Sequence, residues 1–327
     1  MVDDELQITV APGGDFHPPE ALIERFRPRL QAVAPNMRLH VLDGESWDEA
    51  EISETRIFVG WPDDRMLAAM PRLEWVQLPS AGADRYVGND RLSDRIALTT
   101  ASGVFGIAGA EHALALLFAV ARDIRTHVEQ TVSRRWAKHA SSFEIFDSTI
   151  AVFGLGSIGS ETARRLSALG ANVIGFKRTP ATTVPDYLSE VHTVDSAKSV
   201  LSRCDAAVLA MPGTPATSGL FDREMIESLK PGAIVVNVGR GSAVDQDALI
   251  AALESGRLGG AGLDVTDPEP LPDDHPLWRA PNVIIASHSM NVFHRKDERR
   301  FRLLEENLER FVAGEEPANL VDHRRGY

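Results

Sequence analysis

Residues 149–178, TIAVFGLGSIGSETARRLSALGANVIGFKR, decide the fold of this chain. The apolar run at 150–153 shows no alternation, which is typical of a strand buried on both faces of a parallel sheet. Gly154, Gly156 and Gly159 follow it with the spacing G-x-G-x-x-G. The first glycine allows a tight turn, the second lets backbone approach a pyrophosphate, and the third lets the next helix pack closely on the strand.

The sequence after the glycines supplies the context that this motif needs, because the spacing alone also fits an ordinary turn. Apolar residues recur with helical spacing from Ile158 to Leu169, Gly170 can end that helix, and residues 173–176 begin a second buried strand. The N-terminus of the helix would direct free N–H groups and its positive dipole end toward phosphates. We therefore predict a doubly wound parallel-sheet dinucleotide-binding domain of the α/β class. Its predicted cofactor-binding residues in this turn are Gly154, Gly156, Ser157, Ile158 and Gly159.

The composition limits the partners and the compartment. The 34 basic and 47 acidic residues give a net charge of -13, which argues against nucleic acid or an anionic membrane as a partner. Cys204 is the only cysteine, so a disulfide framework and a thiolate metal cluster are excluded. The longest apolar run, 113–121, is about half of the ~20 residues that a membrane span needs, and MVDDELQI at the start has no signal-peptide hydrophobic segment. We expect a soluble cytoplasmic protein with no metal site.

The first hundred residues alternate short apolar runs with helical or loop stretches such as Glu20–Val33, which predicts a separate α/β unit with a parallel sheet. The predicted strands are 6–10, 38–42, 57–60, 75–78 and 96–99. One of them ends in LPSAGAD at 78–84, where small side chains leave backbone N–H groups accessible to a ligand. The segment is equally consistent with a plain loop.

Alternation of strands and helices continues after the nucleotide turn. Further predicted strands at 206–211, 233–238, 260–265 and 283–286 bring the sheet to about six strands, with helices at 247–254 and 291–314. Before the turn, residues 106–127 are predicted to form one long helix whose apolar stripe includes Leu114 and Leu117. That stripe would pack inside the chain's own fold or against a second subunit. His112 on this helix shows no metal-ligand spacing and is interpreted as a surface or core histidine.

Charged side chains follow three of the predicted strands, at the edge of the sheet where ligands bind in open α/β folds. Arg240 stands between two glycines after AIVVNV, Asp264 and Glu269 follow AGL, and His288 follows VIIAS. Each of them alone also fits a solvated turn or loop. Together they are the groups that hydride transfer to a 2-keto acid requires. A guanidinium binds the carboxylate and polarises the carbonyl, an imidazolium donates a proton, and a carboxylate holds the imidazole tautomer and favours its charged form.

The chain resembles the D-isomer-specific 2-hydroxyacid dehydrogenase family, in its glyoxylate/hydroxypyruvate reductase-like branch. The resemblance covers nearly the whole length and includes SAGAD, AEHALALL, GLGSIG, KPGAIVVNVGRG, GLDVTDPEPLPDDHPLW and PNVIIASH. It implies a Rossmann domain at 102–290 and a smaller, discontinuous flavodoxin-like α/β substrate domain at 1–101 and 291–327. It also implies a homodimer built on the long helix.

The resemblance further implies roles for individual residues. The catalytic residues are Arg240, Glu269 and His288. The substrate-binding residues are Ser80, Ala81 and Gly82, together with Arg240 and His288. The nicotinamide-side contacts are Met211, Pro212, Thr217, Val238, Gly239 and Asp264. The family usually has a proline before the histidine and small residues after it, whereas this chain has ASHSMN at 286–291, which leaves the identity of the keto acid open.

The residues after the second strand of the nucleotide turn favour NADP(H), with NAD(H) also possible as cofactor. NAD-specific members of the fold place an acidic residue there, about twenty residues after the glycines, to bind the ribose 2′-OH. This chain has Lys177, Arg178 and Thr179 instead. An ammonium, a guanidinium and a hydroxyl can bind a 2′-phosphate through charge-assisted hydrogen bonds. The alternative is that these residues have no role in cofactor binding and are simply solvated at a strand end.

Two other functions remain open on the sequence. A formate or phosphite dehydrogenase could use the same scaffold, although formate dehydrogenases of this family pair the histidine with glutamine where this chain has Glu269. A nucleotide-sensing binding protein similar to the corepressors of the family is the second alternative. The expected partners are thus a small 2-keto acid or 2-hydroxy acid, a nicotinamide cofactor and a second copy of the chain.

Overall fold

A computed structural model of the chain describes residues 5–44, 47–83, 85–90, 92, 95–138 and 143–322. The chain divides into two compact units. Unit 1 comprises Met1–Val104 and Phe293–Tyr327, and unit 2 comprises Phe105–Val292. Among the described residues, no helix combines the length and the apolar character that a bilayer span requires.

The elements alternate between strands and helices along both units. In chain order they are β1 (Leu6–Val10), α1 (Glu20–Val33), β2 (Met37–Val41), α2 (Glu49–Ile52), β3 (Thr55–Val59), α3 (Asp64–Ala69), β4 (Trp75–Gln77), β5 (Ala97–Thr99), α4 (Gly106–Ala121), α5 (Ile124–Val132), β6 (Thr149–Phe153), α6 (Ser157–Ala168), β7 (Asn172–Lys177), β8 (Glu190–Thr193), α7 (Ala197–Leu201), β9 (Ala206–Leu209), α8 (Arg223–Ser228), β10 (Ala233–Asn237), α9 (Gln246–Glu254), β11 (Leu258–Leu263), β12 (Val283–Ile285) and α10 (Lys296–Val312).

Unit 1 is built on a five-stranded parallel sheet with the strand order β2-β1-β3-β4-β5. This order is that of flavodoxin-like folds, in which ligands bind beyond the carboxyl ends of the strands. Helices α1 and α10 pack against each other over the sheet, where the rings of Phe26 and Phe301 lie 5.3 Å apart. The last described helix of the chain therefore completes a core that the first strands begin.

Unit 2 contains a seven-stranded parallel sheet with the order β12-β11-β10-β9-β6-β7-β8. Numbered within the unit this is 3-2-1-4-5-6-7, the doubly wound arrangement that places a dinucleotide at the reversal between β6 and β9. Both faces of β6 are covered. Ile150 and Val152 pack toward α4 and α6, and Ala151 and Phe153 belong to the core on the other face. The predicted α/β fold class is confirmed.

Three secondary-structure predictions differ from the structure. The sheet of unit 2 has seven strands and not six, because β8 consists of half-buried residues without an apolar run. The long helix predicted at 106–127 is interrupted after Ala121, where Asp123 adopts a left-handed backbone with φ 49°. The predicted helix at 291–314 is shorter, since α10 begins only at Lys296.

Of the two alternatives for the apolar stripe of the long helix, Leu114 and Leu117 follow the first and pack inside the chain's own fold. Their side chains are 8% and 1% exposed and pack within unit 2. Helix α4 lies against α6 and against β10 and β11, so its apolar stripe is used inside the chain. The exposed apolar side chains of this region are instead Ile107, Phe118, Ile124, Val128 and Val132.

Candidate active site

The glycine turn between β6 and α6 has the geometry that a pyrophosphate requires. Gly154 has φ 88°, and a Cβ on Gly159 would lie 1.8 Å from the carbonyl oxygen of Gly154. The fold itself therefore needs those two glycines. Gly156 differs, because a Cβ there would meet no described protein atom within 4 Å. No described side chain caps the N-terminus of α6 at Gly156. The space in front of Gly156, Ser157 and Ile158 thus fits an anionic ligand bound by backbone N–H groups.

Asp264 directly follows β11 and carries a buried carboxylate. The residue is 1% exposed, and its Oδ1 accepts hydrogen bonds from the backbone N–H groups of Ser289 at 2.9 Å and Met290 at 3.3 Å. His112 Nε2 lies 3.0 Å from the same oxygen, although the angles are not those of a hydrogen bond. Asp264 Oδ2 accepts a hydrogen bond from no described residue. A buried acceptor without a donor fits an N–H group of a ligand, such as the carboxamide of a nicotinamide.

His288 and Glu269 form a direct pair. His288 Nδ1 lies 2.8 Å from Glu269 Oε2, and Glu269 Oε1 accepts a hydrogen bond from the backbone N–H of Thr266 at 3.1 Å. Both side chains are partly open to solvent, at 41% and 38% exposure. Because the carboxylate engages Nδ1, Nε2 remains as the ring nitrogen that can serve a substrate.

The backbone that carries the histidine is strained. Ser287 and His288 have φ values of 51° and 53°, in the left-handed region that side chains other than glycine rarely occupy. Such residues cost about 1–3 kcal/mol each and persist where the surrounding structure fixes them. Here the fixing contact is a 2.6 Å hydrogen bond from the His288 N–H to the carbonyl oxygen of Asp264. Asp264 therefore holds the histidine loop through both its backbone and its side chain.

Arg240 follows β10 in a loop held by Asn237. The amide of Asn237 donates from Nδ2 to the carbonyl oxygen of Arg240 at 2.9 Å and accepts from the N–H of Gly239 at 3.0 Å. A Cβ on Gly241 would lie 1.9 Å from the carbonyl oxygen of Thr266, so the arginine loop packs directly on the loop that carries the glutamate. The three charged residues thus follow three adjacent strands, β10, β11 and β12.

The other residues predicted on the nicotinamide side also lie at carboxyl ends of strands in unit 2. Met211 and Pro212 follow β9, and a Cβ on Gly239 would lie 2.5 Å from the carbonyl oxygen of Met211. Thr217 closes the loop after Pro212 by donating from Oγ1 to the Pro212 carbonyl oxygen at 2.7 Å. Val238 is buried behind the arginine loop.

Lys177 is the last residue of β7, the strand next to β6. It pairs in register with Thr193 of β8, and the exposed Arg178 and Thr179 continue beyond the strand. In this fold that position lies on the side where the ribose of the adenosine half binds. The structure therefore places two cations and a hydroxyl at the carboxyl end of the second strand.

The segment predicted to bind the substrate carboxylate is a loop of unit 1 at the carboxyl end of β4. Ser80 Oγ donates to the carbonyl oxygen of Gly82 at 2.7 Å and accepts from Trp61 Nε1 at 3.3 Å. The Ser80 carbonyl oxygen accepts from the N–H of Ala101 at 2.8 Å. The Ser80 side chain is thus engaged by the protein, while Ala81 is exposed. Asp84, the last residue of the SAGAD motif, lies outside the described residues.

Sequence reasoning missed the residues that hold the site. Asn237 was part of an apolar strand pattern, and its polar side chain at the end of that strand was the signal that could have identified it. His112 was interpreted as an ordinary histidine, but it lies against the buried Asp264 carboxylate. The contact of His112 cannot be read from spacing, since His112 is separated from Asp264 by most of unit 2 along the chain.

Comparison with known proteins gives consistent results. Residues 114–289 match the model of the NAD-binding domain of the D-isomer specific 2-hydroxyacid dehydrogenases. The chain is 31% identical over 265 residues to a glyoxylate reductase of Korarchaeum cryptofilum, covering 80% of this chain and 79% of that protein. It is 38% identical over 229 residues to a D-3-phosphoglycerate dehydrogenase of Mycobacterium leprae, covering 69% of this chain but 42% of that longer protein.

A solved structure extends the similarity to the whole chain. A D-isomer specific 2-hydroxyacid dehydrogenase from Xanthobacter autotrophicus Py2, in complex with NADPH and MES, superposes with a TM-score of 0.82 at 30% identity. The match covers 99% of this chain and 100% of that one.

Proposed function

The chain belongs to the D-isomer specific 2-hydroxyacid dehydrogenase family, and from this premise we propose that it reduces a small 2-keto acid to the D-2-hydroxy acid. The substrate is of the glyoxylate, hydroxypyruvate or pyruvate type. The observation that carries the proposal is the 2.8 Å pair of His288 Nδ1 and Glu269 Oε2 at the carboxyl end of the sheet that bears the glycine turn. Unit 2 is proposed to bind the cofactor, and unit 1 to contribute to substrate binding.

His288 and Glu269 are assigned to the proton transfer of this reaction. A bound reduced nicotinamide would supply the hydride, with its two electrons, to the carbonyl carbon. His288 Nε2 gives its proton to the carbonyl oxygen as the C=O π bond breaks, and the alcohol O–H forms. Glu269 holds the imidazole with Nδ1 toward the carboxylate and stabilises its positive charge before that transfer.

Arg240 is assigned to the substrate carboxylate. The guanidinium of Arg240 binds it through two N–H groups and withdraws electron density from the adjacent carbonyl. Within unit 1, the Ser80–Gly82 loop is proposed to contribute to substrate binding through the backbone N–H groups of Ala81 and Gly82. The buried Asp264 Oδ2 is assigned to the cofactor's carboxamide N–H, because a buried carboxylate oxygen without a donor is otherwise costly.

A spectrophotometric panel tests the proposal. Oxidation of NADPH and NADH is followed with glyoxylate, hydroxypyruvate, pyruvate and 3-phosphohydroxypyruvate, the last because of the similarity to a D-3-phosphoglycerate dehydrogenase. We expect turnover of at least one of the unphosphorylated acids. Binding of nucleotide without turnover of any 2-keto acid would contradict the proposal and favour a nucleotide-sensing protein.

We assign the cofactor preference to NADP(H), on the grounds that Lys177, Arg178 and Thr179 follow β7 where an NAD enzyme has a carboxylate. These exposed contacts should favour NADPH over NADH by about 10- to 100-fold in kcat/KM. The double variant Lys177→Asp/Arg178→Ala should lose this preference, and rising salt should weaken it in the wild type. Arg310→Ala, which removes an exposed cation of unit 1, is the control. Equal wild-type values for the two cofactors, or a preference that survives the double substitution, would refute the assignment.

The proposed assembly is a homodimer whose interface includes α5. None of the nine described residues of this helix is buried, yet Ile124, Val128 and Val132 form an apolar stripe at i, i+4 and i+8. Phe118 of α4 is a further exposed apolar side chain. Short helices are stabilised mainly by packing of such a face. We therefore expect a second copy of the chain to pack against the apolar stripe of α5.

A further inference from the structure

We propose that Arg300 of α10 is a positioning residue that fixes the Ser80–Gly82 loop for the substrate carboxylate. This inference rests on the proposed function, because it concerns the loop assigned to substrate binding. It gives a role to a buried charge that the chemistry at Arg240, Glu269 and His288 does not use.

Arg300 carries a buried guanidinium, and each of its three nitrogen atoms donates to an acceptor. Its side chain is 4% exposed and lies over the ring of Phe16, with Cζ 5.4 Å from the ring centroid. Nη2 donates to both carboxylate oxygens of Asp15 at 3.0 and 3.1 Å, and Nη1 donates to Asp297 Oδ1 at 2.8 Å. Such a network is rigid, since each planar N–H group is directed at a fixed acceptor.

The remaining donor of Arg300 reaches the loop. Nε donates to the carbonyl oxygen of Pro79 at 2.9 Å, and Pro79 immediately precedes Ser80. Nη1 also donates to the backbone carbonyl oxygen of Asp15 at 3.2 Å, in the segment between β1 and α1. One side chain of α10 therefore ties together the segments that follow β1 and β4.

The anchor matters because the loop offers backbone rather than side-chain donors. The Ser80 hydroxyl is already engaged by Trp61 and Gly82, so the orientation of the N–H groups depends on how the backbone is held. Proline at position 79 has no N–H, and its carbonyl oxygen is the point at which the start of the loop is fixed. A shift of about 1 Å in such donors is enough to weaken recognition strongly.

Lysine cannot replace the arginine at this position. It keeps one positive charge near Asp15 and Asp297 but lacks the planar fork, so it cannot donate to Pro79 and to both Asp15 oxygens at once. Arg300→Lys therefore removes the positioning contact while leaving the carboxylates of Asp15 and Asp297 with a cation. Arg302→Lys is the matched control, since Arg302 lies on the same helix, is 63% exposed and pairs with Glu298.

The first measurement is steady-state kinetics on the full-length protein with the 2-keto acid that it reduces best. Contacts to the carboxylate are made equally in the ground state and the transition state, so their loss raises KM and leaves kcat little changed. For Arg300→Lys we expect KM for the keto acid to rise about 10-fold or more. KM for NADPH and kcat should stay near the wild-type values. Arg302→Lys should match the wild type throughout.

The second measurement is amide hydrogen exchange of the peptide that covers residues 78–83. Arg300→Lys should exchange faster than the wild type in this peptide, and the peptide covering β2 should be unchanged. This arm needs no turnover. If the wild type reduces no 2-keto acid, the proposed function fails, and the exchange arm still decides whether Arg300 holds the loop.

An unchanged KM for the keto acid in folded Arg300→Lys overturns the proposal, as does unchanged exchange at residues 78–83. A fall in thermal midpoint with unchanged KM shows a structural role alone and also overturns it. If Arg300→Lys does not fold, Asp15→Asn carries the test. This substitution weakens the contact between the Arg300 guanidinium and Asp15, and it should also raise KM for the keto acid.

Discussion

His288 has an unusual backbone and the proposed role of proton donor, and both can be tested with one substitution. Asparagine tolerates the left-handed backbone that this position requires, so His288→Asn should fold with a thermal midpoint close to that of the wild type. Its kcat should fall about 100-fold or more, because general acid catalysis contributes at least that much. A kcat near the wild-type value would show that another group donates the proton.

Arg240 should respond differently to substitution. The two roles proposed for Arg240 are to anchor the carboxylate and to polarise the carbonyl. Arg240→Ala should remove both, so kcat/KM should fall at least as far as in His288→Asn. The loss should appear in KM as well as in kcat. Steady-state kinetics over a wide range of keto acid concentration separates the two, and an unchanged KM would remove the anchoring role.

Glu269 should act by orienting the imidazole of His288. Its carboxylate lies 2.8 Å from His288 Nδ1 and directs Nε2 away from itself, toward the proposed substrate. Glu269→Gln keeps the size of the side chain but can donate as well as accept, so the ring is held less firmly and kcat/KM should fall about 10-fold or more. Asp273→Asn, an exposed carboxylate in the same loop, is the control. If Glu269→Gln keeps the wild-type kcat/KM, the glutamate does not orient the histidine.

The thiol of Cys204 should be unreactive in the folded protein. Burial raises the pKa of its thiol to about 11, and Sγ donates to the carbonyl oxygen of Val200. Because the thiolate is the reactive form, a thiol reagent at neutral pH should not modify the native chain. One equivalent should react after denaturation, since the chain has a single cysteine. Rapid native labelling would contradict the burial.

At the residue level, the sequence predicted the charged groups that follow strands, but it did not predict the residues that hold them in place. Arg240, Glu269 and His288 could be predicted as candidates because each lies in a segment that follows a strand, and ligands bind at that edge. Arg300 and His112 contact partners far away in sequence, which only the folded chain brings together. Asn237 contacts its neighbours Gly239 and Arg240, and its side chain is hidden in the apolar pattern of β10.

At the level of elements, the turn between β6 and α6 contains two kinds of glycine. Gly154 and Gly159 are needed for the fold, and Gly156 is expected to be needed for a ligand. Gly156→Ala places its Cβ in open space with an allowed backbone, so stability should change by less than about 1 kcal/mol. NADPH affinity should fall about tenfold or more, because the methyl group occupies the space of the pyrophosphate. Gly159→Ala should instead lose about 1–3 kcal/mol of stability through its clash with the Gly154 carbonyl.

Thermal melts and calorimetric titration with NADPH measure both effects. Wild-type affinity in folded Gly156→Ala would remove the turn from the cofactor site.

The sequence predicted most elements but not the break between α4 and α5. Apolar periodicity continues across Arg122 and Asp123, and neither glycine nor proline marks the break. Asp123 adopts the left-handed backbone, and its N–H donates to the carbonyl oxygen of Val120. Strand β8 was missed because a sheet-edge strand with half-buried residues needs no apolar pattern. Both misses arise where tertiary contacts override local preference.

At the level of the whole molecule, the exposed stripe of α5 predicts the oligomeric state. Sedimentation at micromolar concentration should give twice the 35.7 kDa mass of the chain. Val128→Asp puts a charge in the middle of the stripe and should shift the protein toward the monomer. Val312→Asp is the matched control, because Val312 of α10 is 53% exposed and Val128 is 55% exposed. A monomeric wild type, or equal behaviour of the two variants, would contradict an α5 interface.

The return of α10 to unit 1 has a consequence for synthesis on the ribosome. The strands of unit 1 are made first, but the helix that covers Phe26 and supplies Arg300 emerges only after residues 105–292 have been translated. At roughly 5–20 residues per second, this interval lasts about 10 to 40 s. Throughout it, unit 2 can fold while an incomplete apolar surface of unit 1 stays uncovered. The N-terminal segment of the nascent chain is therefore expected to bind a ribosome-associated chaperone that recognises apolar surface, and to release it when α10 leaves the exit tunnel.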